Sequence, residues 1–278
     1  ANDGVRNFYY RNDEQRFKDI ALQNGAAYNG EGGPEAGMGV DAGDYDGDGD
    51  LDLFVTNFSR ETNTLYRNDR AAGFKDVSPG TDAANASFNQ LGFGTFFFDA
   101  DNDADLDLYI ANGHVLDRIQ ILEADLRYAQ NDQLLQNDGQ GHYSDISATS
   151  GAAFAQALVS RGAARGDYDN DGDLDVLVNH LNGPAALYRN DRPPGSHWLG
   201  LELKDQAIGA QVHLTCDDRT QFRVVATSGT YLSAHDPRLH FGLGNCTRVE
   251  HIDILWPSGQ TSELSNVAID RYLTVEAP

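Results

Sequence analysis

The chain has 278 residues, 40% of them hydrophobic, enough apolar material for one large domain or two ordinary ones. Its 43 acidic residues against 20 basic give a net charge of −23, which argues against nucleic acid and anionic membranes as partners. No run of about 18 consecutive apolar residues occurs, the length a membrane-crossing helix needs.

From the N-terminus, Tyr10-Arg11-Asn12-Asp13 and Phe17-Lys18-Asp19-Ile20 are the first copies of two signatures that recur. The first returns as Leu65-Tyr66-Arg67-Asn68-Asp69, Leu135-Gln136-Asn137-Asp138 and Leu187-Tyr188-Arg189-Asn190-Asp191, the second as Phe74-Lys75-Asp76-Val77 and Tyr143-Ser144-Asp145-Ile146. Ahead of them lies the most unusual feature of the chain. Asp44, Asp46, Asp48, Asp50 and Asp52 alternate through nine positions, as do Asp99, Asp101, Asp103, Asp105 and Asp107, and Asp167, Asp169, Asp171, Asp173 and Asp175. So much like charge does not hold a compact shape in water unless a hard cation cancels it. Calcium takes six to eight oxygens from carboxylates, carbonyls and water. A tight loop supplies them from the side chains at positions 1, 3, 5 and 9 and the carbonyl at position 7, so three Ca²⁺ sites are expected. Gly49 and Gly172 stand at position 6, where a left-handed turn is cheapest for glycine. Ala104 replaces them in loop two, so the second site is expected to be the weakest. An EF-hand is excluded: position 12 is Val55, Ile110 or Val178, and each loop runs into an alternating β-prone segment rather than a helix.

A Gly-rich strand precedes each loop, at 37–43, 92–98 and 162–166. The unit is therefore strand, acidic loop, strand, strand with an Asn-Asp turn, then a Phe-x-Asp-Val strand, the pattern of a β-propeller blade. Ala1-Asn2 aligns with Thr56-Asn57 and Ala111-Asn112, just past an acidic-loop strand, so residues 1–192 read as the C-terminal blades of a larger propeller cut mid-blade. In the insertion 113–130, Val115, Ile119, Leu122 and Leu126 share a helical face, which predicts a short helix on the rim. Pro193-Pro194-Gly195 reads as a linker. Residues 193–278 read as a small β-sandwich, with strands at 198–203, 211–215, 222–227, 251–256 and 272–275 and turns at Asp217-Asp218, Ser228-Gly229, Pro257-Ser258-Gly259 and Asn266. Its acidic loops are gone, which assigns metal binding to the first domain. Cys216 and Cys246 can form one disulfide or remain free buried thiols. A disulfide and millimolar calcium both suit a secreted or cell-surface location, or a periplasm.

The aspartate repeats resemble FG-GAP/VCBS repeats. The tail resembles the ASPIC/UnbV domain through Ile208-Gly209-Ala210, residues 228–233, His240-Phe241-Gly242-Leu243-Gly244 and residues 254–259. Together they resemble the cartilage acidic protein family, which is also widespread in bacteria. Asn112-Gly113-His114 and residues 179–183 are similar to stretches of its bacterial members. The resemblance implies an all-β fold, a partial FG-GAP/VCBS-type propeller with a small C-terminal β-sandwich. It further implies a secreted protein with a binding or adhesion role and no established catalysis, whose relatives are roughly twice this length.

Other constellations are weaker. Arg165-Gly166-Asp167 spells an adhesion tripeptide, but Asp167 opens loop three. Asn57, Asn85 and Asn245 head short glycosylation sequons. No nucleophile elbow, zinc-protease motif or phosphate-cradling loop occurs, so no catalytic residue is assigned. His235-Asp236 and His240 read as structural, and His180 as a contact near a propeller face. The expected function is non-catalytic: binding an extracellular protein or glycan, or assembly with another chain that completes the propeller. The alternative is a calcium-dependent hydrolase or lyase acting on an extracellular polymer or phosphoester.

Overall fold

The computed structural model describes residues 1–14, 16–192, 195–205 and 207–278, so Pro193 and Pro194 of the expected linker lie outside the described residues. Strands β1 (Tyr10–Asp13) and β2 (Arg16–Asp19) pair antiparallel. β3 (Val40–Gly43), β4 (Asp52–Val55), β5 (Thr64–Asn68) and β6 (Phe74–Asp76) form an antiparallel meander. β7 (Gly92–Phe98), β8 (Asp107–Asn112), β9 (Gln133–Asn137) and β10 (Tyr143–Asp145) repeat it. β11 (Ser160–Gly166), β12 (Asp175–His180) and β13 (Ala186–Tyr188) give a three-stranded third copy. These sheets make an all-β, propeller-type array in which β3, β7 and β11 are the adjacent inner strands.

Alternation along each strand explains why the blades stack. Phe97, Leu108, Ile110 and Leu135 pack towards the preceding blade against Tyr45, Phe54 and Leu65. Their neighbours Phe96, Phe98, Tyr109 and Ala111 pack towards the following blade against Ala163, Leu174, Val176 and Val178. A blade buried on both faces needs neighbours on both sides. The glycines of the inner strands let backbones approach: a Cβ on Gly39 would sit 2.0 Å from the Phe93 carbonyl oxygen.

The tail is two packed sheets. β14 (His197–Leu203), β15 (Gln211–Cys216), β16 (Arg219–Val224), β17 (Leu239–Gly244), β18 (Val249–Leu255), β19 (Thr261–Val267) and β20 (Tyr272–Val275) assemble in the orders β17-β14-β20 and β16-β15-β18-β19. β14 and β20 run parallel. Leu199, Leu201, Val212, Leu214, Phe241 and Ile252 centre its core, and the Cys216–Cys246 disulfide closes one end.

Three expectations need correction. The rim helix is a single turn, α2 (Ile119–Leu122), following the earlier α1 (Asp82–Ser87). Ile119 and Leu126 are buried, whereas Val115 and Leu122 are exposed. Arg118 at its N-cap offers no side-chain acceptor, so nothing stabilises a longer helix. β19 is a strand where the sequence reading places none, because its alternating sequence carries few large apolar residues. Asn266, read as a turn, lies inside β19 with φ of 56°.

Candidate metal centre

Each acidic loop joins an inner strand to the second strand of its blade, so all three emerge at the same end of the array. The same hydrogen bonds fold them. The first carboxylate turns inward and accepts the amides that follow: Asp44 from Gly49, Asp99 from Asp103 and Ala104, and Asp167 from Asp171 and Gly172. The fifth accepts from the amide of the seventh, Asp48 from Asp50, Asp103 from Asp105 and Asp171 from Asp173. Position 6 is left-handed in each loop, with φ of 86° at Gly49, 79° at Ala104 and 93° at Gly172.

These turns bring carboxylate oxygens within 4.8 Å of one another in three groups: Asp44, Asp46 and Asp48; Asp99, Asp101 and Asp107; Asp167, Asp169 and Asp175. Each group could hold a metal ion. Three buried oxygens, Asp44 Oδ1, Asp46 Oδ1 and Asp101 Oδ1, have no hydrogen-bond partner, which fits donors directed at a cation. The ninth residue also locks the loop: Asp52 accepts from Tyr45 and Asn68 amides, Asp107 from Ala100 and Asn137, and Asp175 from Tyr168 and Asn190. Asp50, Asp105 and Asp173 at position 7 turn their carboxylates onto Arg70, Arg219 and Arg192, which suits a residue offering only its carbonyl to an ion.

Crowded carboxylates are electrostatically costly. Burial, reinforced by neighbouring aspartates, pushes Asp44 up to about 6, Asp52 and Asp99 to about 7 and Asp107 to about 8. Their folded values lie above the unfolded value of roughly 4. The cation-free fold therefore binds more protons than the unfolded chain, and that contribution is fully present below pH ~4 and lost as pH rises through the folded values. Protein stripped of divalent cations should melt progressively lower as pH is raised from 5 to 8. A flat melting temperature over that range would contradict this electrostatic picture.

The asparagine of the Asn-Asp signature has a role that a turn assignment missed. Asn68, Asn137 and Asn190 donate from Nδ2 to the loop carbonyls of Leu51, Leu106 and Leu174, while their amides bind the ninth aspartate. Asn137 and Asn190 also donate to Tyr45 and Ala100, the second loop residue of the preceding blade. Each thus staples two acidic loops together. The asparagine follows the ninth aspartate by 16 residues in blade one and 15 in blade three, but by 30 in blade two, where the insertion intervenes, so the recurring Asn-Asp pair itself was the available signal. Asn137→Ala should lower stability by about 2 kcal/mol, because it leaves buried carbonyls unpaired; urea unfolding would measure it.

The tail packs directly on these loops, which its separate reading did not anticipate. Tyr272 donates its hydroxyl to Asp167 at 2.7 Å. His240 Nε2 donates to the Gly172 carbonyl, and Arg238 to the Asp167 carbonyl and Asn170. Trp198 covers Gly172, where a Cβ would meet the indole at 2.0 Å. In blades one and three the arginine on position 7 comes two residues after the stapling asparagine. In blade two that place is Gly139, and the tail supplies Arg219 instead, which also binds the Asp103 and Ala104 carbonyls. Residues 44–110 match an FG-GAP-like repeat profile, and residues 200–278 match the ASPIC and UnbV profile.

The chain joins FG-GAP-like repeats to an ASPIC/UnbV domain. It is similar to cartilage acidic protein 1 from Mus musculus, 24% identical over 276 residues that cover 93% of this chain and 39% of the relative. The Homo sapiens protein of that name is 23% identical over 93% of this chain and 38% of its own length, and that of Xenopus tropicalis 23% over 100% and 42%. The chain therefore spans about two fifths of the length of these relatives.

The FG-GAP-like match covers loops one and two, and the third loop repeats their hydrogen bonds outside it. Two of the histidines singled out from the sequence, His235 and His240, sit at the interface. His235 accepts the Arg165 amide and donates from Nε2 to Gly229, and burial lowers both His235 and His240 to about 4. His180 is buried rather than set on an open face, its Nδ1 bound to the Pro184 carbonyl. Asp167 of the adhesion tripeptide is buried under Tyr272, and Asn57 of the first sequon is buried and bonded to Thr62 and Thr64.

Proposed function

We propose that the chain is an extracellular, calcium-stabilised, non-catalytic binding protein. Residues 1–192 form its propeller domain and residues 193–278 its ASPIC/UnbV domain. The observation that carries this reading is the threefold convergence of carboxylate oxygens, some of them buried without partners. Asp44, Asp46, Asp48 and Asp52, with their counterparts Asp99, Asp101, Asp103 and Asp107 and Asp167, Asp169, Asp171 and Asp175, would hold Ca²⁺. Asp50, Asp105 and Asp173 would contribute carbonyls. Bound calcium would cancel the repulsion within each loop and set the surface that the ASPIC/UnbV domain grips. The Cys216–Cys246 disulfide supports an oxidising, extracellular location. An extracellular protein or glycan is the partner class this reading favours. A non-catalytic role is further supported by the groups nearest the loops, since His240, Arg219 and Arg238 are engaged with loop carbonyls.

Trp198, packed on loop three, is a built-in reporter of that loop. In a Trp256→Phe variant, Ca²⁺ should change the remaining tryptophan emission saturably, EDTA should reverse it, and Asp169→Asn should shift the curve to higher calcium. No calcium response, or an equal response to Mg²⁺, would contradict the proposal. Loop two should bind calcium most weakly because Ala104 holds φ of 79°. Ala104→Gly should stabilise the chain by about 1 kcal/mol and tighten that site in a calcium titration.

A further inference from the structure

A cavity of about 360 Å³ lies between the inner strands and the ASPIC/UnbV domain. Most of its wall is apolar, with Leu53, Phe97, Leu174, Phe222 and Leu239 around it. Arg165 also lines it, on the inner strand β11. Its guanidinium makes no hydrogen bond or ion pair among the described residues, and its Nε is buried without a partner. This is unusual in a molecule whose other interface arginines are committed. Arg219 and Arg238 bind loop carbonyls, and Arg223 donates to Phe222 and Gln221 with its charge facing Asp99 and Asp44. Two carboxylates act on Arg165, those of Asp41 and Asp236. Asp236 is taken by Arg238 at 2.6 Å. Asp41 accepts the Phe97 amide, and burial pushes its carboxyl up to about 7, so it opposes a bound anion only in part near neutral pH.

A planar fork of donors left unpaired against an apolar wall is the complement of one ligand class. We propose that this inter-domain cavity binds a small organic carboxylate, whose anionic end pairs bidentately with Arg165 and whose apolar body lies against Phe97, Phe222 and Leu239. The volume sits at the small end of ligand cavities, which limits the ligand to roughly ten non-hydrogen atoms. The cavity abuts the acidic loops, since Leu51, Asp99, Leu106 and Leu174 line it, but of the clustered loop carboxylates only Asp99 borders it. It also gives the arginine of the adhesion tripeptide a role inside the protein.

Calorimetric titration of the full chain with benzoate and hexanoate tests the site, with benzamide, hexanamide and inorganic phosphate as comparison probes. Saturable binding of the carboxylates is expected, with the amides and phosphate binding far more weakly. Arg165→Gln should weaken benzoate at least about tenfold, the loss expected for charge-assisted hydrogen bonds, and Arg165→Lys less. Arg248→Gln, on the tail surface, should leave it unchanged. If Arg165→Gln does not fold, phenylglyoxal labelling of the unsubstituted protein replaces it: benzoate should slow modification of Arg165 and benzamide should not. The proposal is overturned if carboxylates do not bind, if amide or phosphate binds as well, or if a folded Arg165→Gln or the labelling rate at Arg165 is unaffected.

Discussion

Millimolar Ca²⁺ should raise the melting temperature of the cation-free chain by roughly 10 °C or more, because each site held at about 1,000 times its Kd adds about 4 kcal/mol by mass action. In a chain of this size about 1 kcal/mol moves the melting temperature by about 2–4 °C. The effect is large because the cation-free fold carries its own penalty: Asp44, Asp99 and Asp107 are buried beside like charges, with nothing but loop amides and distant arginines to offset them. Mg²⁺ should do much less. It demands near-ideal octahedral geometry and sheds its waters reluctantly, whereas these loops offer a flexible ring of carboxylates and carbonyls. Differential scanning calorimetry in Ca²⁺, Mg²⁺ and EDTA would measure both.

Gly242→Ala should be a severely damaging small substitution at the domain interface. Gly242 lies in β17 against loop two, and an added Cβ would stand 2.0 Å from Asp99 Oδ2 and 2.5 Å from Asn102 Cα. Neither can yield cheaply. Asp99 is the first residue of its acidic loop and is fixed by the Asp103 and Ala104 amides, and the second atom is backbone. The ASPIC/UnbV domain must withdraw or loop two must open. Overpacking of this kind costs about 1–3 kcal/mol. The displaced Asp99 should also cost the protein one bound calcium ion, a consequence that a purely structural defect elsewhere would not share. Gly33→Ala is the control, since its Cβ would meet nothing closer than 3.5 Å. Unchanged stability and calcium stoichiometry in Gly242→Ala would show that the interface does not bear on loop two.

Much of this architecture was legible because it repeats. Aspartates in fixed phase, a leucine at position 8 and the glycine of position 6 marked the loops, and φ of 79° at Ala104 matches the strain expected of its substitution. The blade strands were legible for the same reason, since alternation at Phe96-Phe97-Phe98 and Leu108-Tyr109-Ile110 feeds two different inter-blade cores. What repetition did not reveal were relations between distant parts. The asparagine staples join residues 92 and 90 positions apart, from Asn137 to Tyr45 and from Asn190 to Ala100. Arg219 and Tyr272 reach loops 114 and 105 residues away. A lone arginine or tyrosine in a sandwich strand carries no local mark of its partner. The rim helix was legible only in part: a helix forms at Ile119–Leu122, but it is a single turn whose N-cap Arg118 makes no side-chain cap hydrogen bond, so the apolar residues at helical spacing do not share one buried face.

The most direct test of the central claim is the number of calcium ions bound per chain, measured by equilibrium dialysis and elemental analysis against excess Mg²⁺. The account predicts three, falling by one in each of Asp46→Asn, Asp101→Asn and Asp169→Asn. Retention of no calcium, or of the same amount after all three substitutions, would mean that these loops are acidic turns and not metal sites.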